Sequence, residues 1–215
     1  MGKLKRVAAL SIVCLISGCA FRVAGQVQEG RRALLVKDPE AALTHFQEAA
    51  RTDPDYTGPG PLREGVWTYI GRAQYDAGRL PEARQSLERA RSSYKDDYFA
   101  SLYLGLALAR SGERSRGLDE IHSGMRGLHD WLEYVTRYAQ YGLFWDPGRE
   151  IRSGIEKELA VISGGEPDWP RLIASAEWLG RKMEEEMDRA RRDENRYYRE
   201  RFPDRRPRVF IGIGF

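Results

Sequence analysis

Eight positions in this 215-residue chain recur, in order, 34 residues further on. Trp67, Ile70, Gly71, Gly78, Leu80, Ala83, Leu87 and Ala90 are answered by Ser101, Leu104, Gly105, Gly112, Arg114, Gly117, Ile121 and Gly124. Within each series the apolar and small residues fall at helical spacing. A repeat of this length restricts the chain to stacked supersecondary units, because one such unit cannot bury its apolar face alone. The recurring glycine and alanine have a steric reason. A small residue lets two helix axes approach, and Trp, Leu or Ile fills the space beside it. The fold class expected is therefore all-α, built of helical hairpins.

The 34-residue period and its large-small-small rhythm resemble the tetratricopeptide repeat family. A less regular unit precedes the two clear ones. Val27, Gly30, Ala33 and Leu34 predict its first helix, and Asp38-Pro39 reads as an N-cap followed by proline at the first helical position. Ala42, Phe46, Ala49 and Pro54 match a second helix, with Gly30 standing where Gly71 stands in the next unit. The step from Ala42 to Ala83 exceeds one period by about seven residues, which fits Asp55–Leu62, where Gly58, Pro59, Gly60 and Pro61 exclude regular helix. Three repeats then cover the array, residues 19–126 when the short lead-in is included.

Beyond Gly127 the pattern decays. Leu128, Trp131, Leu132, Val135 and Tyr138 predict one amphipathic helix, and Ile151, Ile155, Leu159 and Ile162 another, started by Asp146-Pro147. Together they resemble a fourth, degenerate hairpin. After Gly164-Gly165, Asp168-Trp169-Pro170 opens a long helix with Leu172, Ala176, Leu179, Met183, Met187 and Ala190 on one stripe. It resembles the capping helix that ends such arrays. Residues 127–202 form this helical extension and 203–215 an extended tail. In that tail Val209–Phe215 alternates large residues with glycine towards its end, which suits a strand. Three outcomes are open: the segment stays disordered, packs on the helices or, as we hypothesise, adds to a partner's sheet edge.

Residues 1–18 read as a signal peptide. Lys3, Lys5 and Arg6 precede an apolar run from Val7 to Ile16 that is too short to span a bilayer. The run ends Leu15-Ile16-Ser17-Gly18-Cys19, which resembles the lipobox of bacterial lipoproteins. The resemblance implies cleavage before Cys19 and lipidation of its thiol. Ala20 follows in place of the aspartate that retains such proteins at the inner membrane, so the implied address is the periplasmic face of the outer membrane in a Gram-negative source. The only other cysteine, Cys14, lies in the same leader, so the rest of the chain has no thiol chemistry.

Catalysis has little support in the sequence, and the expectation is a protein that is not an enzyme and uses no cofactor or metal. His122 and His129 lie near Asp119 and Asp130, but without the spacing of a metal motif. No P-loop, nucleophile elbow or dinucleotide glycine loop is present. The net charge of +3 does not by itself point to nucleic acid. The tetratricopeptide resemblance instead implies a concave groove lined by the first helix of each unit. Carried onto this register, the groove positions are Val27, Arg31, Thr68, Arg72, Tyr75, Phe99, Leu102, Leu106 and Arg110. Arg31 and Arg72 are equivalent and suit carboxylate ligands or backbone carbonyls. Glu184-Glu185-Glu186 reads as a solvated face, with Glu185 spaced to pair with Arg189. Trp131, Tyr134, Tyr138, Tyr141, Phe144 and Trp145 read as core and junction. The expected function is a lipid-anchored envelope adaptor or scaffold that binds protein partners. The alternative is a structural protein whose arginine-rich C-terminal region, Arg189 to Arg208, holds peptidoglycan or another polyanion.

Overall fold

The computed structural model describes residues 22–58 and 62–202, and over these the chain is all-helical. Residues 22–35 form α1, followed by α2 (Pro39–Thr52), α3 (Val66–Asp76), α4 (Leu80–Ser93), α5 (Tyr98–Arg110) and α6 (Arg114–Tyr138). A single 3-10 turn, Gly142–Phe144, precedes α7 (Glu150–Ser163) and α8 (Trp169–Arg201). No helix among the described residues is long and apolar enough to cross a membrane. The leader, Cys19, Gly60 and the tail Val209–Phe215 lie outside the described residues.

Three hairpins, α1–α2, α3–α4 and α5–α6, share one local design. In each, a glycine on the first helix faces a large side chain sixteen residues later: Gly30 against Phe46, Gly71 against Leu87, Gly105 against Ile121. A Cβ at these positions would sit 2.4–2.5 Å from its neighbour, so only glycine permits the approach. Each hairpin also turns through the same pair of backbone hydrogen bonds. Asp38, Arg79 and Glu113 donate to Ala33, Gln74 and Leu108, and the residues before them donate to Leu34, Tyr75 and Ala109. This is a Schellman ending, which needs a left-handed residue. Gly78 and Gly112 supply it in two hairpins, but Lys37 holds φ 62° in the first.

Caps begin three of the helices. The carboxylates of Asp38, Asp97 and Asp168 accept from Ala41, Ala100 and Arg171. Asp97 is buried and also accepts from the Gly65 amide and the Thr68 hydroxyl, tying α5 to the start of α3. Thr68 is thus committed to this junction rather than to a groove.

The C-terminal half departs from the sequence expectation in two places. The boundary expected at 126/127 falls inside α6, which continues unbroken for 25 residues to Tyr138. Gly127 does not break it, because the glycine receives the Tyr98 ring at the α5 contact. The second helix of the third hairpin is therefore also the first helix of the pair with α7. The start of α7 likewise falls at Glu150 rather than beside Pro147. Asp146 still caps it from upstream, accepting from the amides of Ile151 and Arg152 and from the Arg152 guanidinium.

α8 lies across α1, α3 and α5 rather than at the end of a stack. Its stripe Leu172, Ala176, Leu179, Met183, Met187 and Ala190 is buried, in one core cluster with Phe99, Leu102 and Leu106 of α5. Gly180 admits the Tyr103 ring of α5, which a Cβ there would meet.

A new Cβ at residue 105 would meet the Ile121 amide nitrogen and the Gly117 carbonyl, which are backbone atoms and cannot swing away. Gly105→Ala should therefore cost about 1–3 kcal/mol in a denaturant melt. Gly148→Ala, with open space around it, should stay within about 0.5 kcal/mol. Lys37→Gly should raise stability by about 0.5–1 kcal/mol by relieving the left-handed backbone.

Candidate functional site

The arginines of the first helix in two hairpins meet beneath α8. Arg31 (α1) and Arg72 (α3) are 5% and 3% exposed, a degree of burial that a guanidinium sustains only when paired. The pairing comes from α8. Arg31 Nε donates to Glu184 Oε1, and Arg31 Nη2 donates to Asp188 Oδ1 at 3.0 Å. Arg72 Nη2 forms an ion pair with Glu184 Oε2 at 2.9 Å, so one carboxylate bridges two helices of the array.

Arg72 is also enclosed by rings. Its guanidinium carbon lies 4.8 Å from the centroid of Phe99, 5.2 Å from Tyr103 and 5.9 Å from Tyr69. Stacked aromatic faces favour a delocalised cation, which is why arginine rather than lysine suits the position. On its far side Arg72 Nη1 donates to Glu64 Oε2 at 2.9 Å. Glu64 arrives on the segment between α2 and α3. There the Gly58 amide donates to the Glu64 carbonyl, the Val66 amide donates to the Tyr56 carbonyl, and Thr57 and Gly65 form an isolated antiparallel bridge. The extra length before α3 thus delivers a fully buried carboxyl to the arginine.

The third contact lies one turn along. The Tyr75 hydroxyl donates to Glu177 Oε1, and Arg110 sits over the Tyr75 ring with its Nη1 3.7 Å from the same carboxylate. Of the nine groove positions carried from the resemblance, Val27 packs in a separate cluster and Thr68 is taken up by Asp97. Phe99, Leu102 and Leu106 share the core of the α8 stripe, and Arg31, Arg72, Tyr75 and Arg110 reach its acidic side chains. The carboxylates they suit are Glu177, Glu184 and Asp188 of the same chain.

This corrects the reading of Glu184-Glu185-Glu186 as a solvated face. Glu184 and Glu186 are buried, and only Glu185 is exposed. Glu186 accepts from the Asp146 amide and from Arg189, so Arg189 pairs with Glu186 and Asp193 instead of Glu185. A signal for this was present in the sequence. Glu177, Glu184 and Asp188 recur at spacings of seven and four, which places them on one helix face beside the apolar stripe.

No family model, curated protein or solved structure matches this chain.

Electrostatically the buried set balances. Burial alone would raise the Glu184 carboxyl, but the charges of Arg72 and Arg31 outweigh it and hold the group below the usual carboxylate range. Glu64 goes the other way. Its burial, opposed by Arg72 and reinforced by the Glu184 charge, pushes its carboxyl up to about 8. With Glu64 protonated, two guanidinium groups face two carboxylates, Glu184 and Asp188. The arrangement can clamp one helix on three others; nothing in it positions an activated nucleophile.

A second polar cluster joins α6 to α7. His129 Nε2 lies 3.2 Å from Glu156 Oε1, and His129, Glu133 and Glu156 are close enough together to share an ion. Their carboxylates are already answered by Arg149, which contacts both glutamates at 3.0–3.1 Å, and by Arg152, 3.1 Å from Glu133. These guanidinium groups supply the positive charge an ion would bring. His122 and Asp119 take no part in the cluster, while Glu133, Glu156 and Arg152 were not among the sequence candidates.

Two outcomes follow from the buried set. Glu184→Ala leaves two buried cations unanswered and should cost about 3–5 kcal/mol in chemical denaturation. The pH prediction concerns Glu64. Between the unfolded carboxyl value near 4.3 and the folded value of about 8, the native protein holds a proton that the unfolded chain releases. Its contribution is full below that window and is lost as pH rises through it. Glu64→Gln should flatten the decline in melting temperature between about pH 5 and 8.

Proposed function

We propose that this chain is a lipid-anchored cell-envelope adaptor of the tetratricopeptide type, a non-catalytic scaffold whose concave face is closed by its own C-terminal helix. Support for the repeat comes from the three matching hairpins: the same glycine contact at a spacing of sixteen and the same left-handed turn. The observation that carries the functional reading is the engagement of the groove arginines by Glu184 and Asp188. In this reading the groove is not a free ligand site. α8 occupies it the way an acidic amphipathic partner helix would, and it does so as part of the core. Burying Leu172, Leu179, Met183 and Met187 contributes about 6–12 kcal/mol in gross terms, more than an exchangeable peptide would have to displace.

Partner contact then falls to the surface left open. At the α1–α2 turn Leu35 and Val36 are 44% and 75% exposed, beside the strained Lys37. We assign this corner, with the neighbouring turns at Gly78 and Gly112, to protein binding. The anchor is assigned to Cys19, with α1 beginning by residue 22 and so holding the scaffold close to the bilayer.

Cys19→Ser should move the chain from the membrane fraction to the soluble fraction and remove the acyl mass from the mature N-terminus. Unchanged fractionation and mass would refute the anchor. A photocrosslinking residue at Val36 should give adducts with an envelope protein in cells, while one at Leu106 should give none. Adducts at Leu106 would mean that the groove opens to partners.

A further inference from the structure

The direction of α8 places two chemically distinct features at the same end of the molecule. Contacts between α8 and α3 run from Arg72–Glu184 to Tyr75–Glu177, and those with α5 run from Tyr103–Gly180 to Arg110–Glu177. Each pair advances along the array helix while retreating along α8, so α8 is antiparallel to α3 and α5. α2 is antiparallel to both α1 and α3, through Arg22–Glu48 and His45–Gln26 on one side and Phe46–Tyr69 and Arg79–Glu40 on the other. α1 is therefore parallel to α3, and its start lies at the end where α8 finishes.

Distances along the helices agree. From Arg31 back to residue 22 is about 13 Å, and from Asp188, which Arg31 contacts, to Arg201 is about 20 Å. The tip of α8 thus projects a few ångströms past the start of α1. The three residues back to Cys19 span at most about 10 Å. That reach exceeds the few ångströms by which the tip projects, so an acyl chain on Cys19 and the tip can meet one surface.

The chemistry of that tip is directional. Arg192, Arg196, Arg199 and Arg201 are exposed. Of the acidic residues between them, Asp193 is paired with Arg189, Glu194 accepts from the Trp145 indole at 3.2 Å, and Glu200 is exposed, so the four arginines outnumber the one exposed carboxylate. Beside the arginines, the Tyr197 ring packs on Tyr141 and Phe144 while remaining 45% exposed, and Leu143 of the adjoining turn is 67% exposed. Arginine with tyrosine and an aliphatic side chain at one level is the composition of a bilayer interface, where anionic headgroups attract the cations and the rings sit among them. The sequence adds Arg205, Arg206 and Arg208 directly after this helix.

We infer that the tip of α8 and the Gly142–Phe144 turn rest on the headgroups of an anionic phospholipid bilayer, a second membrane contact beside the Cys19 acyl chains. This rests on the lipid-anchor reading above. It stands the hairpin helices upright on the membrane and presents the Leu35–Val36 corner to the periplasm.

The test uses the full chain carrying Cys19→Ser, so that no acyl chain contributes. Flotation compares vesicles of phosphatidylglycerol with phosphatidylcholine against phosphatidylcholine alone. The leader binds both and its Lys3, Lys5 and Arg6 add a constant preference of their own, so the readout is the change between variants in preference for the anionic vesicle. Neutralising Arg192, Arg196 and Arg199 to Gln should reduce that preference by about a hundredfold, near fivefold for each charge. The triple change to Lys should largely retain it, and neutralising Arg84 and Arg116 on the hairpin surface should leave it unchanged. Circular dichroism checks that each variant keeps its helix content. An undiminished preference in the triple Gln variant overturns the inference, as does binding to a soluble polyanion with no preference for anionic vesicles. If instead the wild-type chain carries no acyl mass in cells while the vesicle preference follows the arginines, the anchor fails and the interfacial contact stands.

Discussion

One carboxylate, Glu184, holds α1 and α3 to α8 by standing between Arg31 and Arg72. Each of these charges is expensive to bury alone, and the cost is met only when all three are present with their hydrogen bonds. The aromatic enclosure of Arg72 and the carboxyl of Glu64 complete the desolvation without adding net charge. Because Glu184 lies more than a hundred residues along the chain from both arginines, the interaction sets α8 against the array in one register. The apolar stripe supplies most of the adhesion, and the ion network supplies the alignment.

Legibility in the sequence tracked the range of the interaction. The glycine contacts at residues 30, 71 and 105, the caps at Asp38 and Asp168 and the stripe on α8 are local or periodic, and each could be read from spacing alone. The fate of the groove was different. Arg31, Arg72 and Arg110 were visible as one row, and Glu177, Glu184 and Asp188 formed a matching row on α8. Joining the rows required knowing that α8 folds back over the array rather than capping its end. Composition encourages the opposite view, since three successive glutamates normally face water. Glu64 was hidden for another reason: it sits beside a Gly/Pro segment that breaks helical periodicity, and burial there is set by the loop. The unbroken α6 was hidden because the 34-residue pattern decays at Gly127, while that glycine packs against Tyr98 inside a continuing helix.

The closed groove changes how a scaffold of this kind would work. An open array offers an adjustable concave surface, whereas an array filled by its own helix is a rigid block with specialised ends. At one end lie the start of α1, the tip of α8 and the aromatic turn, with exposed arginines. At the other lie the hairpin turns, with the small apolar corner at Leu35 and Val36. Such a polarity suits a protein that holds something at a set height above a surface. It also places the strained residue Lys37 at the end proposed for partner binding, where a contact that relaxed its backbone would gain affinity.

Native-state hydrogen exchange most directly tests the claim that α8 is a permanent part of the core and not a displaceable occupant of the groove. The account predicts that amides of α8 between Ala176 and Ala190 exchange with the same opening free energy as those of α3 and α5, in one cooperative unfolding event. Exchange of α8 through a lower-energy opening, with α3 and α5 still protected, would contradict it and return the concave face to the list of partner-binding surfaces.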